Sequence, residues 1–195
     1  MDEEKAKVCF VTTGATAPFT DLIKAVFKTE AVDALQKAGY THMLVQYGTA
    51  KDVFEQSSLN ALRHMDGNTP RKPIRIEGID FKQGLKDEFK LARTSNGLVI
   101  SHAGSGSILE ALRYDVPLIV VPNDRLLHNH QAELAKAMAA SNYLLEGNTD
   151  NLAPSIAYSE SFKMKKAQFP PITSGKHRET EGLEAIMDAE LGFQD

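Results

Sequence analysis

Leu98-Val99-Ile100-Ser101-His102-Ala103-Gly104-Ser105-Gly106-Ser107-Ile108-Leu109-Glu110 decides the fold of this chain. Leu98–Ser101 is an apolar run that reads as a strand, the small residues up to Ser107 form a tight loop, and Ile108, Leu109 and Leu112 open a helix. The same alternation extends outward in both directions. Lys7–Thr13, Met43–Tyr47, Ile74–Gly78 and Pro117–Val121 read as further strands, with Tyr143–Leu145 as a sixth. Helices are predicted at Phe19–Ala38, Asp52–His64, Gly84–Arg93, Ser105–Tyr114 and His128–Ala140. In the first of these, Leu22, Ile23, Val26, Phe27, Ala31, Ala34, Leu35 and Ala38 form one apolar stripe closed by Gly39. Strands too apolar to keep a wet face, alternating with helices, predict an α/β fold: a Rossmann-like, doubly wound parallel sheet covered on both faces.

The 195 residues are 42% hydrophobic and 25% charged, ordinary values for one globular domain and wrong for a disordered or fibrous chain. A net charge of −4 leaves no cation surplus to neutralise a phosphate backbone, so nucleic acid is not an expected partner. Met1-Asp2-Glu3-Glu4-Lys5 lacks the apolar run of a signal peptide, and the longest aliphatic stretch, Leu118–Val121, is far short of the ~20 residues a membrane span needs. A cytosolic protein is expected. The single cysteine, Cys9, sits in an apolar strand and reads as a small buried hydrophobe. Residues 1–166 are read as one domain and 167–195 as an appendage: a linker around Phe169-Pro170-Pro171, then an amphipathic C-terminal helix at Glu181–Leu191 with Leu183, Ile186, Met187 and Leu191 in its stripe. That stripe packs on its own domain or, as the alternative, docks on another chain.

In a sheet of order 3-2-1-4-5-6, ligands bind beyond the carboxyl ends of the strands where the order reverses, which brings together the loops after strands 1 and 4. Those are the small-residue loops here, Thr12-Thr13-Gly14-Ala15-Thr16 and His102–Ser107. Gly104 and Gly106 let the backbone approach an anion, and the following helix faces it with free N–H groups and a positive dipole end. The run is neither G-x-G-x-x-G, since Leu109 fills the third glycine position, nor a G-x-x-x-x-G-K-[ST] loop, nor G-x-S-x-G. Glu110 has two readings: it closes a capping box with Ser107, or it accepts hydrogen bonds from a ribose. After strand 5, His128-Asn129-His130-Gln131 crowd a helix start with groups that donate to and accept from sugar hydroxyls. No D-x-D pair and no thiolate stands near His128 and His130, so no metal site is expected. His102, His42, His64 and His177 are taken as structural or surface residues, with His102 alone of these placed near the expected site.

Taken together, Ile100–Glu110, Pro117-Leu118-Ile119-Val120-Val121-Pro122-Asn123 and Asn129-His130-Gln131-Ala132-Glu133-Leu134-Ala135 resemble the donor-binding half of GT-B glycosyltransferases. Within that class the chain is most similar to the catalytic subunits of the two-subunit UDP-N-acetylglucosamine transferases of asparagine-linked glycosylation, from the Val11–Thr16 loop and Gln46-Tyr47-Gly48 through about Leu145. The resemblance implies transfer of N-acetylglucosamine from UDP-GlcNAc to GlcNAc-diphosphodolichol at the cytosolic face of the endoplasmic reticulum. It implies that Ser105, Gly106 and Ser107 with Gly14, Ala15 and Thr16 hold the diphosphate and Glu110 the ribose. The backbone of Ile79 would meet the uracil, and Asn129, His130 and Gln131 the sugar. UDP-GlcNAc is the donor substrate, and no cofactor is implied. A GT-B enzyme needs two halves and this chain supplies one, so the resemblance also implies a heterodimer with a membrane-anchored, acceptor-binding subunit. The catalytic base belongs to that partner or is a local group such as His130. A non-catalytic nucleotide-sugar-binding module of the same fold is the alternative, since a phosphate loop does not prove turnover.

Overall fold

A computed structural model describes residues 5–14, 18–68, 71–123 and 130–166, with the backbone alone for 66–68, 130–132 and 166. In chain order the elements are β1 (Val8–Thr12), α1 (Thr20–Val26), α2 (Thr29–Lys37), β2 (His42–Gln46), α3 (Lys51–Asn68), β3 (Arg75–Ile79) and α4 (Lys86–Thr94). They continue with β4 (Leu98–His102), α5 (Ser105–Arg113), β5 (Leu118–Val121), α6 (His130–Ala140), β6 (Leu145–Glu146) and α7 (Ala153–Lys166). The six strands form one sheet of order β3-β2-β1-β4-β5-β6, and every neighbouring pair is parallel. This is the doubly wound arrangement expected, with the order reversing between β1 and β4.

Alternation along the strands divides the core in two. Cys9 and Val11 of β1, with Met43, Val45, Leu98, Ile100, Ile119 and Val121, pack under α1, α2, α3 and α7. Phe10, Val99, Leu118 and Val120 point the other way, under α4, α5 and α6. Phe10 meets Phe89 edge to face, with ring centroids 5.6 Å apart and planes at 85°. Both faces of β1, β4 and β5 are therefore dry, which is why their sequences are continuously apolar.

Two elements differ from the sequence reading. The stripe from Phe19 to Ala38 is not one helix: it breaks at Phe27-Lys28, where Lys28 turns extended (φ −60°, ψ 143°) and starts α2. No glycine or proline marks the break; tertiary contacts impose it. Phe27 leans on Phe54 of α3, and the Lys28 ammonium donates to the carbonyls of Thr149 and Asp150. The second difference is α7, a helix beyond β6 that the sequence reading did not include. The Asn151 carboxamide oxygen accepts from the Ala153 N–H at its start, and Ile156, Ser159 and Phe162 are its buried side chains. The expected linker after Lys166 and the helix at Glu181–Leu191 lie outside the described residues.

At the edge of the sheet where β1 begins, α7 is tied down by a polar knot. Lys163 donates to the Tyr40 hydroxyl (3.0 Å), the Asn96 carbonyl (2.8 Å) and Glu160 (2.8 Å), while Lys7 pairs with Glu160 at 3.0 Å. Tyr40 is 3% exposed and carries the Lys7 ammonium 4.5 Å over its ring. Burial lowers the pKa of Lys163 while Glu160 pulls it back up; burial raises that of Glu160, but hydrogen bonds from Lys163 and Lys7 outweigh it and leave the carboxyl below its usual range.

Candidate functional site

The functional edge lies where the strands end. Thr12 of β1 stands opposite Ser101 of β4 and Gln46 of β2, so the segments that follow all three converge there. A cavity of about 420 Å³ opens at this edge, lined by Gly14, Gln46, the Phe81–Leu85 loop, Phe89, His102, Gly104 to Ser107, and Glu110. Two larger hollows, of about 560 and 640 Å³, border α2. The first has Lys28 in its wall, already spent on loop carbonyls; neither has the glycines or the unpaired carboxylate found at the strand ends. Chemistry, not volume, selects the smaller cavity.

Gly104 is the N-cap of α5, in extended conformation (φ −84°, ψ 129°), and no side chain caps this helix. The first intrahelical bond runs from the Ile108 N–H to the Gly104 carbonyl at 3.1 Å, so the N–H groups of Ser105, Gly106 and Ser107 precede the helical ladder. Three donors and the positive end of α5 meet the cavity together, an arrangement suited to an anion. The capping box proposed for Ser107 and Glu110 does not form: Ser107 is the third residue of the helix rather than its cap. Glu110 instead keeps one carboxylate oxygen, Oε1, buried and without a hydrogen-bond partner. A buried acceptor without a donor costs about 1–3 kcal/mol, and in a cavity wall it invites a hydroxyl.

The opposite loop is held from below. Thr12 Oγ1 donates to Gln46 Oε1 at 2.6 Å and accepts from the Gly14 N–H at 3.3 Å, while Thr13 Oγ1 donates to the Gln46 carbonyl at 3.1 Å. Between the two glycine loops stands His102. A Cβ on Gly14 would fall 2.5 Å from its ring, and one on Gly104 2.2 Å. Gly14 also has φ +81°, which favours glycine. Burial lowers the imidazole pKa, and a hydrogen bond with the Thr12 backbone opposes this only in part, so the environment favours the neutral ring.

Of the residues singled out in the sequence, Gly14, Ser105, Gly106, Ser107 and Glu110 share this cavity. Ile79 does not line it: its carbonyl accepts the Tyr47 N–H at 3.0 Å, and the lining from that loop begins at Phe81. Ala15, Thr16 and Asn129 lie outside the described residues, as do the side chains of His130 and Gln131, whose backbone opens α6. The sequence reading passed over three residues. His102 reads from the sequence as structural, though a ring flanked by two glycine loops is itself a signal; Gln46 enters there only within the Gln46-Tyr47-Gly48 segment, and nothing in the pattern singles out Phe81. Among the described residues no group of three or more metal-ligating side chains occurs.

The profile of the glycosyltransferase family 28 C-terminal domain matches residues 8–183. The UDP-N-acetylglucosamine transferase subunit ALG13 of Eremothecium gossypii is 34% identical over 183 residues, covering 86% of this chain and 88% of that one. The solution NMR structure of ALG13 superposes with a TM-score of 0.60 at 27% identity, over 82% of this chain and 88% of that one. The crystal structure of MurG from Acinetobacter baumannii shares the fold with a TM-score of 0.58 at 16% identity, over 100% of this chain and 51% of that one.

Proposed function

The chain belongs to the glycosyltransferase family 28 C-terminal domain family, and from that premise we propose that it is the donor-binding subunit of a UDP-GlcNAc-dependent N-acetylglucosaminyltransferase. In this reading it acts in the second step of lipid-linked oligosaccharide assembly, on GlcNAc-diphosphodolichol. The observation that carries it is the meeting, in one cavity, of the uncapped α5 N-terminus with the unpartnered Glu110 oxygen. The first suits a diphosphate; the second suits a ribose hydroxyl one helical turn away. Asn129, His130 and Gln131 are assigned to the sugar, and the backbone of Ile79 to the uracil. Residues 1–166 would form the donor domain and 167–195 a linker and docking helix.

The chemistry is an inverting displacement. The acceptor oxygen bonds to the anomeric carbon, the bond from that carbon to the β-phosphate oxygen breaks, and UDP leaves with the electron pair. The N–H groups of Ser105, Gly106 and Ser107 stabilise that charge without reorganising, and no metal is required for it. The acceptor hydroxyl loses its proton to a base supplied by the partner, or by His130. Small-molecule sites bury about 70–90% of a ligand, and one sheet edge supplies a single wall, so a second protein has to close the site. No helix among the described residues is long and apolar enough to cross a membrane. A membrane-anchored, acceptor-binding partner would therefore hold this chain at the cytosolic face of the endoplasmic reticulum.

Calorimetry of the chain with UDP and UDP-GlcNAc in excess EDTA, followed by transferase assays with and without the co-expressed membrane subunit, tests the reading. Nucleotide binding unaffected by EDTA and transfer only in the complex are expected. Binding lost on chelation removes the helix-terminus mechanism, and full activity of the isolated chain removes the two-subunit reading.

A further inference from the structure

The floor of the cavity holds a donor that the free protein leaves without an acceptor. Gln46 is the last residue of β2, in register with Thr12 of β1 on one side and Ile79 of β3 on the other. Its side chain leaves the sheet on the same side as Leu44, the side that α4, α5 and α6 cover. It lines the cavity and yet is only 1% exposed, so nearly all of it is packed in place. The two ends of its carboxamide are unequally provided for. The Gly14 N–H donates to Thr12 Oγ1 at 3.3 Å, and the single Thr12 hydroxyl proton passes on to Gln46 Oε1 at 2.6 Å, which turns the oxygen end toward β1. The nitrogen end, Nε2, has no acceptor among the described residues. Thr13 Oγ1 also donates to the Gln46 carbonyl at 3.1 Å, so backbone and side chain are both held. A donor fixed in this way is preorganised for an acceptor arriving from the cavity.

We propose that Gln46 Nε2 is a ligand of the donor diphosphate, giving a hydrogen bond to a phosphoryl oxygen from the floor of the cavity. This rests on the donor-binding reading above. β2 and β4, which lead to Gln46 and to the α5 N-terminus, flank β1 and stand two strand spacings apart, roughly 10 Å. Two linked phosphates with a hydrogen bond of about 3 Å at each end bridge that gap. Gly14, between them, cannot supply the second contact through its own N–H, which is spent on Thr12. Gln46 takes over that task with a neutral donor that has no proton to lose. The other unpartnered group in the wall, the Glu110 carboxylate, only accepts, so it repels a phosphate and serves a hydroxyl.

The side-chain amide of a glutamine gives its own signals in proton–nitrogen correlation spectra, so the wild-type chain tests the proposal directly. Inorganic pyrophosphate and UDP should both shift the Gln46 Nε2 signals together with the amides of Ser105 to Ser107, and uridine should not. In parallel, Gln46→Glu keeps an oxygen for Thr12 and exchanges the donor for an acceptor. It should weaken UDP and pyrophosphate alike, roughly ten- to hundredfold, with the Gly14 amide signal where wild type has it. Nε2 signals that ignore pyrophosphate while Ser105 to Ser107 respond overturn the proposal, and that result needs no variant to fold. A response to uridine alone overturns it too, since Nε2 then serves the nucleoside. So does wild-type pyrophosphate affinity in Gln46→Glu, or a loss of affinity accompanied by a displaced Gly14 amide, which makes Gln46 a prop for the loop. A wild-type chain that binds neither UDP nor pyrophosphate sinks the donor-binding reading itself, and the ligand role with it.

Discussion

Replacing Gly104 with alanine tests whether His102 is the wedge that spaces the two glycine loops. The backbone there is extended (φ −84°), so alanine meets no conformational penalty and the whole effect is steric. The new Cβ would stand 2.2 Å from His102 Nε2 and 2.9 Å from Cδ2 and Cε1, where ordinary contact begins at 3.4 Å. Ring and loop must therefore separate by about 1.2 Å. Gly14 also lies close to the ring, where a Cβ would touch it at 2.5 Å. Overpacking of this kind costs about 1–3 kcal/mol, a drop of roughly 2–12 °C in Tm for a domain of this size. A shift of that size also exceeds the ~0.5 Å window of useful N–H···O distances, so UDP should bind about a hundredfold more weakly. The control is Gly106→Ala: nothing stands within 4 Å of its Cβ, so the fold should be unharmed or slightly stabilised, while a ligand pressed against that backbone is pushed away. Thermal melts and UDP calorimetry on Gly104→Ala, His102→Ala and the double variant read the coupling directly. If Gly104→Ala melts and binds as wild type does, or if removing the ring fails to restore its stability, the wedge argument is wrong.

Glu110→Ala should weaken UDP about tenfold yet raise Tm, because it removes an unpartnered buried oxygen, and the loss should vanish with a deoxyribose analogue; a lower Tm with unchanged affinity would restore a purely structural role. Burial depresses the folded-state pKa of His102, so its contribution to stability is complete above the unfolded value of about 6.5 and is lost as pH falls through the lower folded value. Wild type should therefore lose more Tm than His102→Asn between pH 7.5 and pH 5, and parallel curves would contradict this. Cys9 is 0% exposed and burial pushes its thiol up to about 12, with the Lys163 charge only partly opposing, so a disulfide reagent should label it at the unfolding rate and no faster.

The architecture was legible because it is dictated by short-range pattern: runs such as Leu98–Ile100 and Leu118–Val121 are apolar on both faces, and that permits only a covered parallel sheet. The break at Lys28 was not, because its cause, a carbonyl pair at Thr149 and Asp150, lies in another part of the chain. α7 escaped for a related reason: Ser159 sits among the helix's buried side chains, so hydropathy alone sees a broken stripe. At the site, the glycines and Glu110 could be read from their order along one segment. The meeting of His102, Gln46 and Phe81 at one cavity depends on three segments converging, and separation along the chain says nothing of that.

The knot of Lys7, Tyr40, Glu160 and Lys163 has a practical corollary for handling the protein. It fastens the beginning of the first strand to the last described helix at the edge of the sheet where β1 starts, while the candidate site opens where the strands end. An affinity handle, surface tether or fusion partner joined through either side of that knot departs from the rear of the molecule. Immobilised in this way, the chain presents its glycine-loop cavity to solution.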